Sequence, residues 1–350
     1  GNSISFKALE KITVEGEVLD ASGQLVTDFT GIVNPTVKDS KVTVTCLKNS
    51  NKDDSPAFTF TDYPNTIFIG NDSVRNGKFS FTFTVPKDIS YSNLQGKMNL
   101  YAVDTESGNE AQGNFDNFIV GGTSDTAETD TIGPEIRALY LNDTTFVDGG
   151  QVNTTPYFVA ELWDKSGVNI TGSSVGHDMM LVIDESTVLS YNLNSYYELL
   201  PGEEGTGIVK FPIPALEPGK HTAEFWVWDI LNNSTVRTFT FEVVEGLKPF
   251  LFDVIATPGI AREQVTFHLM HNRPESRMRV GIMVYDLAGR QLWKHEESGT
   301  SGLFENYTVS WDLTSGGARM RPGVYIYRAA ISTDNSKDAT KARKFIILGE

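Results

Sequence analysis

The chain has almost no cysteine, no long apolar run, no helical periodicity and a shortage of basic residues, and each shortage excludes something. One cysteine, Cys46, among 350 residues rules out a disulfide framework within the chain. Cys46 alternates with Val42 and Val44, which predicts a side chain turned into a core rather than a nucleophile. No run of about eighteen apolar residues occurs, so no segment has the length of a membrane-spanning helix. The first six residues lack a charged segment and an apolar segment, so no signal peptide is expected there. A start within strand-like pattern leads us to expect a fragment of something longer. The net charge of −16 argues against a partner with a phosphate backbone, which needs a basic face. No phosphate loop or dinucleotide fingerprint is present, and no cofactor is expected.

What is there is strand grammar. Hydrophobic residues make up 39% and aromatics 11% of the chain, enough to bury real cores. In residues 79–85, Phe79, Phe81, Phe83 and Val85 alternate with polar residues, a period of two that puts them on one strand face. Asn76-Gly77 just before is a hairpin signal, because both residues tolerate positive φ. No stretch repeats at i, i+3, i+4 for long enough to suggest a helix. Turn signals between short strands recur at immunoglobulin-like spacing, so the fold class is all-β, built of consecutive immunoglobulin-like β-sandwiches. Residues 121–130 are small, polar and acidic and read as a linker. Lys248-Pro249 marks a second boundary. The expected domains are therefore 1–122, 123–247 and 248–350. Residues 48–56 read as a loop, and a Gly/Glu turn is expected after residue 197.

Charge is uneven. Residues 123–246 hold five basic residues against nineteen acidic ones, whereas basic residues outnumber acidic ones from Phe250 onward. An acidic surface that keeps the protein soluble accounts for this; a basic end that meets an anionic partner or lipid surface is the sharper alternative.

Several sets of residues have side chains of the types that chemistry uses. His177-Asp178 has the residue types of a catalytic or metal pair, but strand neighbours point to opposite faces. Asp143, Asp148, Asp164, Asp184, Glu185 and Asp229 could supply loop oxygens for calcium, yet no fixed calcium-loop pattern is present, so solvated loops and no metal are expected. Trp226 and Trp228, two apart on one strand, could form a sugar platform with Trp163, but are expected to be core. His268 and His271 fit no common metal spacing. No catalytic residue is assigned.

Three stretches carry a resemblance. The first is Val14, Gly16, Val18, Asp20 and Gly23, with Asp28-Phe29 and Gly31. The second includes Asp130, Gly133-Pro134, Leu139-Tyr140-Leu141-Asn142, Gly176-His177-Asp178 and Trp228-Asp229 with Asn232-Asn233-Ser234. The third is His271-Asn272-Arg273-Pro274, Tyr285-Asp286-Leu287 with Gly289-Arg290, Trp311-Asp312, Gly323-Val324-Tyr325-Ile326-Tyr327-Arg328 and Lys344-Phe345-Ile346-Ile347-Leu348. Together they resemble the C-terminal, non-catalytic part of the type IX secretion sortases, gingipain-like cysteine peptidases of Bacteroidetes-type bacteria. The third stretch is also similar to the C-terminal signal shared by cargo proteins of that system. The resemblance implies an upstream peptidase domain that holds the catalytic Cys and His, and two sandwiches followed by a type IX C-terminal domain. It implies a cell-surface location, associated with the outer membrane on its extracellular side, after export through the periplasm. The parent it implies cleaves cargo signals and links cargo to anionic lipopolysaccharide. The implied partners are an outer-membrane β-barrel and other attachment-complex subunits, with Gly289, Arg290, Gly323, Tyr325, Tyr327, Phe345 and Ile347 as the secretion-signal and docking residues. The alternative is a surface adhesin or glycan-binding sandwich protein exported as cargo. In residues 344–348, Phe345 and Ile347 lie on one face and Ile346 and Leu348 on the other. Apolar residues on both faces imply burial on both sides or an edge offered to a partner.

Overall fold

The computed structural model describes residues 4–47, 57–125, 130–172, 176–200, 205–333 and 335–349. The loop expected at 48–56, most of the Gly/Glu turn and part of the linker lie outside the described residues. Regular structure is all strand apart from a 3₁₀ turn at Asn194–Tyr196, and no α-helix occurs among the described residues. No described helix is long and apolar enough to cross a membrane. The chain divides into two compact units. The first is Gly1–Leu139, Val159–Lys210 and Thr222–Phe239; the second is Tyr140–Phe158, Phe211–His221 and Thr240–Glu350.

The first unit opens with a sandwich. One sheet runs in the order Glu110–Phe115, Lys97–Asp104, Gly31–Lys38, Thr66–Ile69, and Asp72–Val74 also pairs with Gly31–Lys38. The other sheet is the pair Lys11–Glu17 and Lys78–Thr84, in antiparallel register from Lys11↔Thr84 to Glu17↔Lys78. A third sheet joins Ile4–Ala8, Phe118–Thr123 and Leu94–Gln95. The period of two holds: Phe81 and Phe83 are buried and Phe79 packs partly buried against the same core. Phe68 stacks on Phe83 from across the sandwich, with ring centroids 4.7 Å apart. Burying a side chain of this size is worth about 1.5–3 kcal/mol, so this row alone anchors the strand.

The Asn-Gly turn forms as its residue types require. Asn76 and Gly77 both have positive φ, 51° and 73°, the type I′ signature. Lys78 N–H donates to Arg75 O, and Arg75 N–H to Lys78 O. A Cβ on Gly77 would sit 2.3 Å from Val26 O, so glycine is needed for space as well as for φ. The two arms then part. Asp72–Val74 pairs with Gly31–Val33, whereas Lys78–Thr84 pairs with Lys11–Glu17 in the other sheet. The turn is that of a hairpin, but the arms do not form one ladder beyond the turn.

Two further sheets fall mainly in the first unit. One runs Glu135–Leu141, Tyr157–Trp163, Thr206–Pro212, Tyr197–Leu199; the other includes Ser234–Val243, Gly219–Trp228, Met180–Ile183 and Ser190–Asn192 in that order. Ala223, Phe225 and Val227 supply the buried face of Gly219–Trp228, leaving Trp226 and Trp228 half-buried on the outer face. The expectation that these tryptophans are core is therefore corrected: the strand's odd-numbered positions took the inside. Cys46 is also corrected. It is exposed, because among the described residues Val42–Thr45 pairs only with Thr59–Asp62 in a two-stranded sheet and Cys46 lies past the strand's end.

In the second unit, residues 250–349 form a sandwich. The small sheet runs Leu251–Thr257, Val265–His271, Tyr307–Trp311. The large one runs Ile260–Ala261, Ala339–Ile347, Gly323–Ser332, Met278–Tyr285, Gln291–Gly299. Phe267 meets Phe345 edge-on at 6.1 Å, Trp311 stacks on Trp293 at 4.4 Å, and the Tyr327 hydroxyl donates to Val254 O at 3.0 Å. The tyrosine thus enters the core with its polar tip satisfied.

Candidate functional site

Three places gather polar or exposed apolar groups that the core does not require. The first is an acidic group in the first unit. Asp164 follows Tyr157–Trp163, Asp229 follows Gly219–Trp228, and Asp130 precedes Glu135–Leu141. Ligand atoms of the three lie within 4.8 Å of one another. Asp164 and Asp229 are buried at 4% and 0% exposure. The carboxylates are held by local N–H donors. Asp164 Oδ1 accepts from Ser166 and Gly167, Asp229 Oδ1 from Leu231 and Asn233, and Asp130 Oδ1 from Ile132. Burial, which disfavours the ionised form, pushes Asp164 up to about 6 and also raises Asp229. The backbone N–H of Ile132 holds Asp130 below its usual value.

Of the six acidic residues singled out in the sequence, the structure brings together Asp164 and Asp229 only. Asp143 accepts from Thr145 within its own turn, Asp148 and Asp184 accept from the distant Thr240 and Thr222, and Glu185 stands at φ 53° beside Asp184. The third member, Asp130, lay in the stretch read as linker; its only signal was Asp130 three residues before Gly133-Pro134. Three carboxylates are the donor chemistry of a hard cation, though calcium takes six to eight oxygens.

The second place is around His177. Its partner is Asp88, not Asp178: Nδ1 lies 2.6 Å from Asp88 Oδ2. Asp88 Oδ2 also accepts from Asn169 at 3.2 Å, and Oδ1 from Asn232 at 2.8 Å. The ring packs on Trp228 at 4.5 Å. Asp178 instead accepts from Asn194. The paired residues are 89 positions apart, so sequence proximity had no means to reveal them. Trp163 carries Arg137 over its ring at 5.0 Å, Trp226 donates to Glu224, and Trp228 holds His177, so each tryptophan has its own neighbour.

The third place is the last sandwich. Tyr325, Tyr327, Phe345 and Ile347 are buried at 7%, 2%, 2% and 1% exposure, which makes them core residues with no surface to offer a partner. Gly289 and Arg290 close the Asp286 turn. Gly289 has φ 82°, and Asp286 accepts from the N–H groups of Ala288 and Arg290 and from Arg290 Nε at 3.1 Å. The N–H of Arg290 is the main cause that holds Asp286 below the usual carboxylate range. The Asp-x-x-Gly-Arg spacing thus has a local reason: carboxylate cap, left-handed glycine, ion pair. Gly323 starts the strand that pairs with Ala339–Ile347. What the surface does present is an apolar row: Ile260, Ile346 and Val324 stand side by side in register. Their exposures are 55%, 36% and 42%, and Leu348 beyond them is 37% exposed. The edge of the closing strand is covered at this end by Ile260–Ala261, with Ile346 N–H donating to Gly259 O and Leu348 N–H to Ala261 O.

His268 and His271 do not converge. His271 is half-buried, accepts the Arg273 N–H at Nδ1 and lies 2.8 Å from Ser301 Oγ at Nε2. Burial, with Arg273 beside it, pushes it down to about 4. Arg273 is the residue sequence reading missed. It is 1% exposed, and its guanidinium donates to the carbonyls of Asn272, Leu247 and Lys248 and to Asn272 Oδ1. It pins the stretch before the last sandwich to that sandwich.

No family model matches the chain, and no curated protein matches it. Among solved structures, dimeric latent PorU from Porphyromonas gingivalis is 38% identical over 99% of this chain, at a TM-score of 0.41. The Ig1-2 module of the Drosophila receptor protein tyrosine phosphatase DLAR is 9% identical over 63% of this chain and all of that one, at a TM-score of 0.25. The mixed-linkage glucan protein SGBP-B of Bacteroides ovatus is 9% identical over the full chain and 67% of its own, also at 0.25. The chain spans 32% of the PorU chain that it matches. With more than a third of its residues identical along nearly its whole length, the chain belongs to the PorU family of type IX secretion, as a part of such a protein.

Proposed function

We propose that this chain is the non-catalytic C-terminal segment of a type IX sortase, with two sandwiches as spacers and residues 248–350 as the export and docking module. In this reading the parent is a cysteine endopeptidase at the cell surface. It removes cargo signals and supports cargo attachment to anionic lipopolysaccharide. The observation that carries the reading is the 38% identity to PorU across 99% of the chain. The docking surface is the row Ile260, Val324 and Ile346, since exposed apolar residues gathered in one patch mark interaction sites. The partner is an outer-membrane β-barrel, and the other attachment-complex subunits gather around it. Tyr325, Tyr327, Phe345 and Ile347 serve indirectly, by holding the sheet that displays that row.

The test is mass spectrometry of the native surface protein. Peptides from residues 250–350 are expected to remain on the mature chain. Their complete loss would favour an exported adhesin whose end domain is removed as a cargo signal.

A further inference from the structure

The first unit holds a cleft of about 910 Å³, at the upper end of the roughly 300–1,000 Å³ of ligand pockets. Its lining has an unusual order. Residues 164–168 form one wall, and two further unbroken runs face it, residues 67–73 and residues 80–84. The latter two are the arms that part after the Asn76-Gly77 turn, one in each sheet of the first sandwich. The cleft therefore runs along strand edges.

On the edge of Lys78–Thr84 that faces away from Lys11–Glu17, Lys78 pairs with Arg75 across the turn, and beyond it the edge is unpaired among the described residues. Val85 N–H donates to Glu10 O, Val85 O accepts from Leu9 N–H, and Gly77 O accepts from Val18 N–H. In an antiparallel ladder alternate residues bond to the same neighbour. Phe79, Phe81 and Phe83 therefore bond inward, and the backbone groups of Ser80, Thr82 and Thr84 point to the other side. Among the described residues no strand takes them. Edges are normally blunted by lysine, proline or a bulge. Residues 79–84 contain none of the residues, and the register has no shift. Ser80 and Thr82 are exposed.

We propose that this cleft takes an extended acidic peptide segment of a partner protein, added as a strand to the free edge at Ser80–Thr84. Unpaired N–H and C=O groups at strand spacing are recognised by another backbone. The charge at the cleft favours acid: Lys11, Arg75 and Lys165 line it against Asp72 and Asp164, in a chain whose net charge is −16. Lys11 and Arg75 form no ion pair among the described residues. Leu199 and Tyr197 give the apolar wall for alternate side chains of the guest. The inference stands apart from the docking role of residues 248–350.

The experiment uses the full chain and a labelled seven-residue peptide of alternating valine and threonine with glutamate at both ends. Fluorescence anisotropy is expected to show saturable binding. Thr82→Pro removes one outward N–H at a position where an edge strand tolerates proline, and is expected to weaken binding at least tenfold with an unchanged melting temperature. A second arm needs no variant: N-methylating the peptide on the residues of one alternate set should weaken binding at least tenfold, and methylating the other set should not. If Thr82→Pro prevents folding, this arm decides. No saturable binding, equal binding by Thr82→Pro, or equal effects of the two methylation patterns would each overturn the proposal.

Discussion

The strands Lys78–Thr84 and Gln291–Gly299 are both sheet edges, and they are guarded differently. Along the second, Lys294 pairs with Glu296 at 2.8 Å and His295 with Glu297 at 3.0 Å, so the last sandwich meets solvent with a charged edge. The first shows only serine and threonine between its phenylalanines. Charged side chains on an edge discourage a second strand; their absence leaves the ladder ready to continue. The last sandwich instead exposes apolar side chains on a sheet face, at Ile260, Val324 and Ile346. One sandwich offers backbone and the other offers side chains, and these are different modes of recognition.

Both sandwiches nevertheless stand on stacked aromatic cores. Phe83→Ala and Phe345→Ala are each expected to cost about 3–5 kcal/mol, read as a lowered denaturant midpoint of the unit that holds the residue. A loss below about 1 kcal/mol for either would break the parallel between the two cores.

The units differ next in how they hold buried charge. In the first, the raised value of Asp164 means that the folded state keeps a proton that the unfolded chain releases. Stability is then lost as pH rises from about 4, the unfolded value, to about 6. Asp164→Asn is expected to gain up to about 3 kcal/mol at pH 7 and to flatten that slope in melting curves from pH 4 to 7. An unchanged slope would mean that the acidic group is not strained. In the second unit the sign is opposite at the surface. Asp286 lies below its ordinary value, so its contribution is present at neutral pH and lost as the pH falls through the folded value. The smallest expected effect is at the same turn. Gly289→Ala should cost about 1–2 kcal/mol, because φ 82° is left-handed and no neighbour obstructs the Cβ. Thermal melting would show it, and no change in the midpoint would mean that the turn relaxes freely.

Sequence reading reached furthest where structure is local. The alternation of Phe79, Phe81 and Phe83, the Asn76-Gly77 turn and the Asp286–Arg290 spacing all state their geometry within a few residues. It failed where the decisive partner is distant. His177 takes Asp88 over Asp178, and Asp130 joins Asp164 and Asp229 from a stretch read as linker. Trp226 and Trp228 show a third kind of limit. Period two says that they share a face, but the opposite face, with Phe225 and Val227, is equally apolar, so the pattern does not choose the inside. The same ambiguity arose at residues 344–348, where Phe345 and Ile347 went in and Ile346 stayed at the surface.

That last division decides how the docking role must be tested. Deleting residues 345–350 would remove Phe345 and Ile347 from the core and so confound export or docking with folding. The direct measurement is co-purification of the full chain with the proposed outer-membrane barrel partner, comparing the native protein with Val324→Glu/Ile346→Glu. The account predicts at least tenfold less barrel recovered with the variant, at an unchanged melting temperature. Undiminished recovery with the folded variant would contradict it.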